Sequence, residues 1–275
     1  MCTVVLLRRP GHPWPVLLAG NRDELASRPW GPPARHWPDR PEVIAGLDVL
    51  AAGSWLGVND HGVLAVVLNR RGTLGPAAGK RSRGELVLDA LDFEDARSAA
   101  EALAALDPDA YRPFNLIVAD AREAFWLRHA DGVTPRAAGL PGGQRPALAP
   151  ARPRSVAGDR RGPGLERHVI PSGLSMITAQ DLNDPGSRRI EAFRPQFLEA
   201  QTPDPEAGDW SAWTGLLADR RSPDDDPKNA MSIVTNGDYG TVCASLIALP
   251  AEGRPRLWFA AGRPDEAAFE PVDLG

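Results

Sequence analysis

The chain has 275 residues, 43% of them hydrophobic and 24% charged, with a formal net charge of −5 and a pI of about 5.6. A chain of this length and composition can bury a sizeable core, which argues against wholesale disorder. The acidic balance argues against a nucleic-acid-binding protein, because such domains are usually basic.

The two cysteines, Cys2 and Cys243, form neither a disulfide framework nor a zinc-binding spacing, and this usage is typical of a reducing compartment. The apolar run after Met1 is too short for a signal peptide, and its charges follow it instead of preceding it. No segment approaches the roughly 18 apolar residues of a transmembrane helix. We therefore expect a cytoplasmic protein that does not span a membrane.

The first part of the chain predicts strands. Apolar runs at residues 3–7 and 16–19 predict a β-hairpin over residues 2–20. The polar residues 21–24 follow directly, at the end of its second strand. Residues 27–41 are rich in Pro and Trp and predict an ordered loop.

Residues 54–58 and 63–68 predict the next pair of strands, because turn residues lie between them. The S-x-x-E spacing of residues 82–85 is that of a capping box and predicts a helix that begins near Arg83. A second, Ala-rich helix is predicted over residues 94–106.

The second half of the chain predicts further strands and helices. The expected elements are strands at 114–119, 124–128 and 175–178, helices at 187–199 and 210–220, and closing strands at 231–235, 241–249 and 256–260. Residues 139–164 are dominated by Pro, Gly, Arg and Ala and predict a long surface loop or a partly disordered insertion. Hairpins separated by helix pairs favour an α+β fold of antiparallel sheets covered by helices.

Known nucleotide- and metal-binding motifs are incomplete in this sequence. Residues 75–81 resemble a phosphate-binding P-loop, but they are one residue short between the glycines, and Arg81 stands where Ser or Thr would bind magnesium. The five histidines are scattered. We therefore expect no metal site and no cofactor.

A cysteine at position 2 opens the first predicted strand. Removal of Met1 would give Cys2 a thiol and a free α-amine, whose ordinary pKa of about 7.7–8.0 suits a general base. One residue would then supply both nucleophile and base. The alternative is that Cys2 is only a small apolar residue at a strand start.

The polar run Asn21, Arg22, Asp23 and Glu24 would return to the vicinity of Cys2 if the hairpin forms. An arginine there would favour the thiolate, and an aspartate could hold the α-ammonium by a charge-assisted hydrogen bond. The alternative is a solvated turn.

Several motifs together resemble the NRDE family, also called the transport and Golgi organisation family. The motifs are Met1-Cys2-Thr3, residues 18–24, Ser27-Arg28-Pro29, residues 46–48, residues 53–57, Asn69, residues 83–86, residues 114–117 and Tyr239-Gly240-Thr241. The resemblance covers almost the full length as one domain over residues 1–275, and it is weakest at 139–164.

The resemblance implies a four-layer αββα sandwich similar to N-terminal-nucleophile (Ntn) hydrolases. It also implies cleavage of a C–N (amide) bond of a small molecule through a thioester on Cys2. Related acylases place an Arg and an Asp beyond the first hairpin, and an Asn of the oxyanion hole at the end of a later strand. Arg22, Asp23 and Asn69 would take these roles. The alternative for Asn69 is a turn residue.

The resemblance further implies supporting or substrate-binding roles for Asn21, Glu24, Trp55 and Asn183. The acylases carry another Asn on a mid-chain strand. The matching region here is residues 178–184, where Gln180, Asp181 or Asn183 could stand.

The family resemblance also implies a second function, a non-catalytic haem- or lipid-binding or trafficking protein on the same scaffold. Trp30, Trp37 and Trp55 could then line an apolar pocket. The alternative is that these indole rings pack in the core around the loop.

Overall fold

The computed structural model describes residues 2–130 and 165–275, so the insertion predicted at 139–164 lies outside the described residues. The strands are β1 (Thr3–Arg8), β2 (Val16–Leu25), β3 (Trp30–Ala34), β4 (Val43–Asp48), β5 (Leu56–Asn59), β6 (Leu64–Asn69), β7 (Phe114–Ala119), β8 (Ala124–His129), β9 (Glu166–Val169), β10 (Gly173–Ile177), β11 (Tyr239–Leu249), β12 (Arg256–Ala260) and β13 (Glu270–Pro271). The helices are α1 (Gly84–Leu91), α2 (Ala96–Ala104), α3 (Arg188–Glu199) and α4 (Ser211–Leu217), with 3₁₀ turns at Pro108–Ala110 and Pro227–Asn229. None of the helices in these two ranges is long and apolar enough to cross a membrane.

The strands form two antiparallel sheets. Sheet A has six strands in the order β10-β1-β2-β11-β12-β13, and sheet B has seven in the order β3-β4-β5-β6-β7-β8-β9. Helices α3 and α4 pack on sheet A, whereas α1 and α2 pack on sheet B. One apolar core lies between the sheets and one lies under each helix pair. These four layers confirm the predicted α+β fold, an αββα sandwich.

The hairpin of β1 and β2 explains why its sequence is apolar without alternation. Even-numbered residues such as Val4 and Leu18 lie in the core between the sheets. Odd-numbered residues such as Val5 and Leu17 lie under α3 and α4. Because both faces of sheet A are covered, nearly every position of the hairpin is apolar.

Strand β2 is longer than predicted, since it continues through residues 21–24 to Leu25. The extension is held by β11, whose Tyr239 lies opposite Leu25 and whose Thr241 lies opposite Asp23. The N-R-D-E run therefore lies within a central strand and not after its end.

Two other expectations about local structure are wrong. Residues 231–235 form no strand, although they are largely buried. The Ile233 N–H donates to the Thr241 hydroxyl at 2.8 Å, and the Ile233 carbonyl accepts from the Thr241 N–H at 3.0 Å. An apolar run can thus be buried as a loop when its backbone groups find partners. Residues 27–41 are not entirely loop, because they contain β3.

The capping-box spacing places the start of α1 correctly. Glu85 Oε1 accepts a hydrogen bond from the Ser82 N–H at 3.3 Å, and Ser82 Oγ accepts one from the Gly84 N–H at 3.2 Å. The Gly84 carbonyl accepts from the Ser54 N–H at 3.1 Å. This contact ties the beginning of α1 to the chain just before β5.

Trp55 lies over a strand position that requires glycine. A Cβ atom on Gly46 would lie 2.4 Å from the Trp55 ring, which is a severe overlap. Gly57 is packed as tightly, since a Cβ atom there would lie 2.3 Å from the Cβ of Ala45. Gly46 and the G-S-W-L-G stretch therefore form one packing unit between β4 and β5.

The substitution Gly46→Ala should destabilise the protein by about 1–3 kcal/mol, because the added methyl group displaces the Trp55 ring. Thermal unfolding followed by circular dichroism would register this as a fall in Tm. Gly215→Ala in α4 is the matched control, because a Cβ atom there meets nothing within 4 Å and alanine is favoured over glycine in a helix. An unchanged Tm for Gly46→Ala would contradict the packing unit.

Candidate active site

The pairing of β1 with β2 brings Cys2 to the N-R-D-E run. Thr3 lies opposite Asn21, so the residue before Thr3 lies beside the residues that follow Asn21. The Asp23 backbone N–H donates to the Cys2 Sγ atom at 3.4 Å, and the thiol lies 3.6 Å from the Asp23 carbonyl oxygen. The Cys2 side chain is half-buried.

The four residues of the run do not face the same way. Arg22 and Glu24 face the side of sheet A on which Cys2 lies, and both line a cavity with it. Asn21 and Asp23 contact the helical layer on the opposite side. Because side chains alternate along a strand, the polar run divides into two pairs.

The Asn21 side chain fixes the helical layer. Its Nδ2 donates to the carbonyls of Leu217 and Met231 at 3.0 and 2.9 Å. These bonds anchor the end of α4 and the segment before β11 to sheet A. The amide donors of Asn21 are thus used on the helical side, and its supporting or substrate-binding role stays a prediction.

Arg22 lies over the Trp55 ring, with its Cζ atom 4.2 Å from the ring centroid. Its Nη2 lies 3.7 Å from Asp48 Oδ2. Its Nη1 is buried and has no hydrogen-bond partner among the described residues. Because the Nη1 atom is enclosed by the protein, the contribution of Arg22 to the cavity is the positive charge of its guanidinium.

Asp23 belongs to a buried ionic cluster on the other face of sheet A. Its Oδ1 accepts from the Thr241 hydroxyl at 2.7 Å, and its Oδ2 lies 3.2 Å from Arg189 Nη1. The side chains of Arg189 and Asp23 are 3% and 0% exposed. Arg189 also donates to the Thr3 hydroxyl. The cluster therefore ties α3 to the beginnings of β1 and β11.

A cavity of about 340 Å³ lies next to Cys2. Four other predicted site residues line it, namely Arg22, Glu24, Trp55 and Asn69. The charged lining residues that the sequence did not assign to the site are Arg28, Asp48, Lys80, Arg81, Arg83 and Arg112.

Asn69 is the last residue of β6 and is half-buried at the cavity. Its side-chain amide makes no hydrogen bond within residues 2–130 and 165–275, so its N–H donors are free to meet a ligand oxygen. The position is that of a strand end, as the sequence predicts.

The mid-chain candidates lie elsewhere. Asn183 has a left-handed backbone, with φ of 56°, and its Oδ1 accepts from the Met176 N–H at 2.8 Å, which closes the turn after β10. Asp181 is bound by Arg70 at 2.7 Å and Arg128 at 2.9 Å. Neither these residues nor Gln180 lies among the residues that line the cavity. The structure therefore does not favour a substrate contact for Asn183.

Burial and the Asp23 carboxylate raise the pKa of the Cys2 thiol above its ordinary value. The positive charge of the chain's N-terminal amine, then the Asp23 backbone N–H and the Arg22 guanidinium, act in the opposite direction and offset this only in part. The thiol is thus held in its neutral form, and a nucleophilic role requires a base.

Arg189 is a residue of the cluster that sequence reasoning missed, although the sequence carries a signal for it. The buried residues of α3 include Arg189, Phe193 and Phe197, which are spaced by four. This spacing puts an arginine on the apolar stripe of the helix, where a charge needs an acidic partner. Asp48 and Arg83 lie inside the quoted motifs but were given no role.

The αββα layers and a cysteine just before the first strand define a fold of the Ntn-hydrolase type. The structure is similar to an N-acylethanolamine-hydrolyzing acid amidase ortholog from Caenorhabditis elegans, with a TM-score of 0.51, 13% identity, and coverage of 90% of this chain and 92% of that one. It is also similar to a variant of conjugated bile acid hydrolase from Clostridium perfringens, with a TM-score of 0.50, 11% identity, and coverage of 99% and 97%. At these identities the likeness shows the fold.

The chain belongs to the Transport and Golgi organisation 2 family, whose model matches residues 1–142. This confirms the family that the motifs indicate. A comparison with curated proteins gave no match.

The substitution Arg189→Met should lower the free energy of unfolding by about 3–5 kcal/mol, because it removes the guanidinium from a buried carboxylate. Urea unfolding followed by fluorescence measures the change. Arg188→Met is the matched control one residue away, because its ion pair with Glu191 is largely exposed and should contribute no more than about 1 kcal/mol. Equal losses in the two variants would contradict a structural role for the cluster.

In protein that keeps Met1, obtained by inhibiting methionine aminopeptidase during expression, Cys2 should react slowly with iodoacetamide near neutral pH. Its raised pKa means that the thiolate forms at higher pH in the folded chain than in the unfolded chain. The rate-against-pH midpoint for the Cys2 peptide, followed by mass spectrometry, should therefore be higher without urea than with it. The opposite order would contradict the neutral thiol.

Proposed function

We propose that the chain is an N-terminal cysteine hydrolase that cleaves a C–N (amide) bond of a small molecule once Met1 is removed. The observation that carries the proposal is the Cys2 thiol on the wall of a cavity that Arg22 and Asn69 also line. The two similar structures are both named for hydrolysis, one of N-acylethanolamines and one of conjugated bile acids.

A base must accept the proton of the Cys2 thiol, because in the chain that carries Met1 burial and the Asp23 carboxylate raise the pKa of this thiol. No histidine is among the described residues that line the cavity. An α-amine titrates at about pH 7.7–8.0 and is attached to the same carbon as the Cys2 side chain. Removal of Met1 would therefore create the nucleophile and its base on one residue.

Asp23 is suited to hold the resulting α-ammonium. A thiol at a strand start occupies one face of the sheet, whereas an amine at the chain end can be approached from either face. The Asp23 carboxylate shares Arg189 Nη1 with the Thr3 hydroxyl, so it lies beside the start of β1 on the face away from the cavity. The amine would then be oriented from one side while the thiol meets the substrate on the other.

The reaction follows from these positions. The amine accepts the thiol proton, and the sulfur attacks the amide carbonyl carbon. Negative charge develops on the carbonyl oxygen, where the Asn69 side-chain N–H would donate a hydrogen bond and the nearby Arg22 guanidinium would add positive charge; one such donor typically contributes about 10²–10³ in rate. The C–N bond breaks as the leaving amine takes the proton from the α-ammonium.

Hydrolysis of the thioester uses the same groups. The α-amine takes a proton from water, the hydroxide attacks the thioester carbon, and the C–S bond breaks. The α-ammonium then returns a proton to the Cys2 sulfur. The acid product leaves and the site is restored.

A non-catalytic role in haem or lipid binding stays a prediction from the family. Haem iron is commonly held by His, Cys, Met or Tyr, and Cys2 is the one residue of these types on the cavity wall within the described ranges. Titration with haemin, followed by absorbance in unmodified protein and in the Cys2→Ala variant, would separate a carrier from a hydrolase.

Intact-protein mass spectrometry should show loss of Met1, and a thiol-directed electrophilic probe should label Cys2. Cys2→Ala should abolish turnover of an N-acyl amide substrate panel, because it removes the nucleophile and keeps the amine. Cys243→Ala is the control, since Cys243 is buried and its pKa is raised to about 12 by burial. Retention of Met1 in active protein, or full activity of Cys2→Ala, would overturn the mechanism.

A further inference from the structure

We propose that the substrate of the Cys2 site carries an oxyanion, a carboxylate or a phosphate, which binds to Lys80, Arg83 and Arg112 on the cavity wall. The position of the scissile amide rests on the proposed function. The anion site itself depends only on the charges of the lining residues, so it can be tested separately from the hydrolase.

The cavity is strongly cationic although the chain as a whole is acidic. Six cationic side chains and two acidic ones line it. Both acids already lie close to arginine side chains. Asp48 Oδ2 lies 2.8 Å from Arg28 Nε and 3.7 Å from Arg22 Nη2. The other acid, Glu24, lies 4.0 Å from Arg28. The acidic lining therefore compensates Arg22 and Arg28.

Arg81 is also compensated, from outside the cavity. Its Nη2 lies 2.6 Å from Glu85 Oε2 and 3.9 Å from Asp89 Oδ2. Three cations of the lining then remain, and none of them has a carboxylate partner within residues 2–130 and 165–275.

Arg112 is held in place entirely by neutral groups. Its Nη1 donates to the carbonyls of Leu74 and Gly75 at 2.8 and 3.0 Å, and its Nη2 donates to the Gly72 carbonyl at 3.2 Å. These bonds fix the guanidinium and the loop around it. They leave the charge of Arg112 uncompensated.

Arg83 and Lys80 are bound in the same manner. Arg83 Nη1 donates to the Thr73 hydroxyl at 2.9 Å and to the Pro113 carbonyl at 3.1 Å, and Lys80 donates to the Asp109 carbonyl. In the described part of the chain, the Nε and Nη2 atoms of Arg83 have no hydrogen-bond acceptor. A fixed guanidinium with open donors matches the geometry of a carboxylate or a phosphate.

Burial, and next the charge of Arg112, lower the pKa of Arg83 to about 10, although the Glu24 carboxylate acts in part in the opposite direction. Arg83 is still protonated at neutral pH, but two like charges are held close together at a cost. A bound anion would relieve that repulsion. The wall is therefore preorganised for an anion before any ligand arrives.

The rest of the lining indicates an amphiphilic substrate. Leu50, Ala51, Trp55 and Val67 give the cavity an apolar portion, and Leu50 is 67% exposed. An acyl chain on this portion and an oxyanion on the cationic wall would leave the connecting amide near Cys2. An N-acyl amide with an anionic group combines these features.

The test measures binding without turnover, in the Cys2→Ala variant, by isothermal titration calorimetry at low salt. The probes are N-hexanoylglycine, the neutral N-hexanoylglycinamide and N-hexanoyl-O-phosphoethanolamine. We expect at least one anionic probe to bind about tenfold or more tightly than the neutral amide. The tighter of the two anionic probes decides between carboxylate and phosphate.

Adding Arg83→Gln or Lys80→Gln to the Cys2→Ala variant should remove most of this preference. Lys80→Gln guards against misfolding, because Lys80 is exposed and bound only to one carbonyl. Arg81→Gln is the matched control, since it removes the same charge from the same cavity but from a side chain that Glu85 already pairs. It should keep the preference.

The outcomes separate the two proposals. Equal affinity for neutral and anionic probes, no binding of any probe, or a preference that survives both Arg83→Gln and Lys80→Gln would overturn the anion site. Anion-selective binding with no hydrolysis by the unmodified, Met1-free protein would support the anion site and contradict the proposed hydrolase activity. Equal hydrolysis of neutral and anionic probes would support the hydrolase activity and contradict the anion site.

Discussion

The register between β1 and β2 is the constraint on which the rest of the site depends. With Thr3 opposite Asn21, the residue before Thr3 contacts the backbone of Asp23. A slip of one residue would move every side chain of β2 to the other face of sheet A. Arg22 would then leave the cavity and the Asp23 carboxylate would enter it. Specific polar contacts oppose such a slip, because it would take the Asn21 amide from its carbonyl partners and the Asp23 carboxylate from Arg189.

The same register separates two tasks that the polar run performs. Arg22 lies with Trp55 and Asp48 on the cavity side, while Asp23 is held by Arg189 on the helical side. The side toward the helices is buried, whereas the cavity side carries Cys2 and Arg22. One strand thus supplies both a supported framework and a reactive surface, as preorganised sites require.

Periodicity and motifs in the sequence were sufficient for the layers, the first hairpin and the neighbourhood of Cys2. They were not sufficient to predict that residues 21–24 face opposite sides of sheet A. These residues were expected to follow the strand, where side chains do not alternate between two faces. The cations of the wall could not be predicted either, since Lys80 and Arg112 are far apart in sequence and line the same cavity only through loops that have no periodic pattern. The role of Asn183 stays a prediction, because a left-handed turn residue and a supporting amide look alike in a sequence.

The electrostatics of the cavity bear on which form of Cys2 attacks. Arg22 favours the thiolate, but the Asp23 carboxylate and burial disfavour it. A substrate oxyanion on the wall of Arg83 and Arg112 would add negative charge to the same cavity and disfavour the thiolate further. The fraction of Cys2 present as thiolate would thus be lowest when the substrate is bound. A base on the same residue avoids this conflict, because the proton then moves only as the sulfur attacks. An anionic substrate on the cationic wall is therefore compatible with a thiol that its own amine deprotonates during attack, whereas it would disfavour a preformed thiolate.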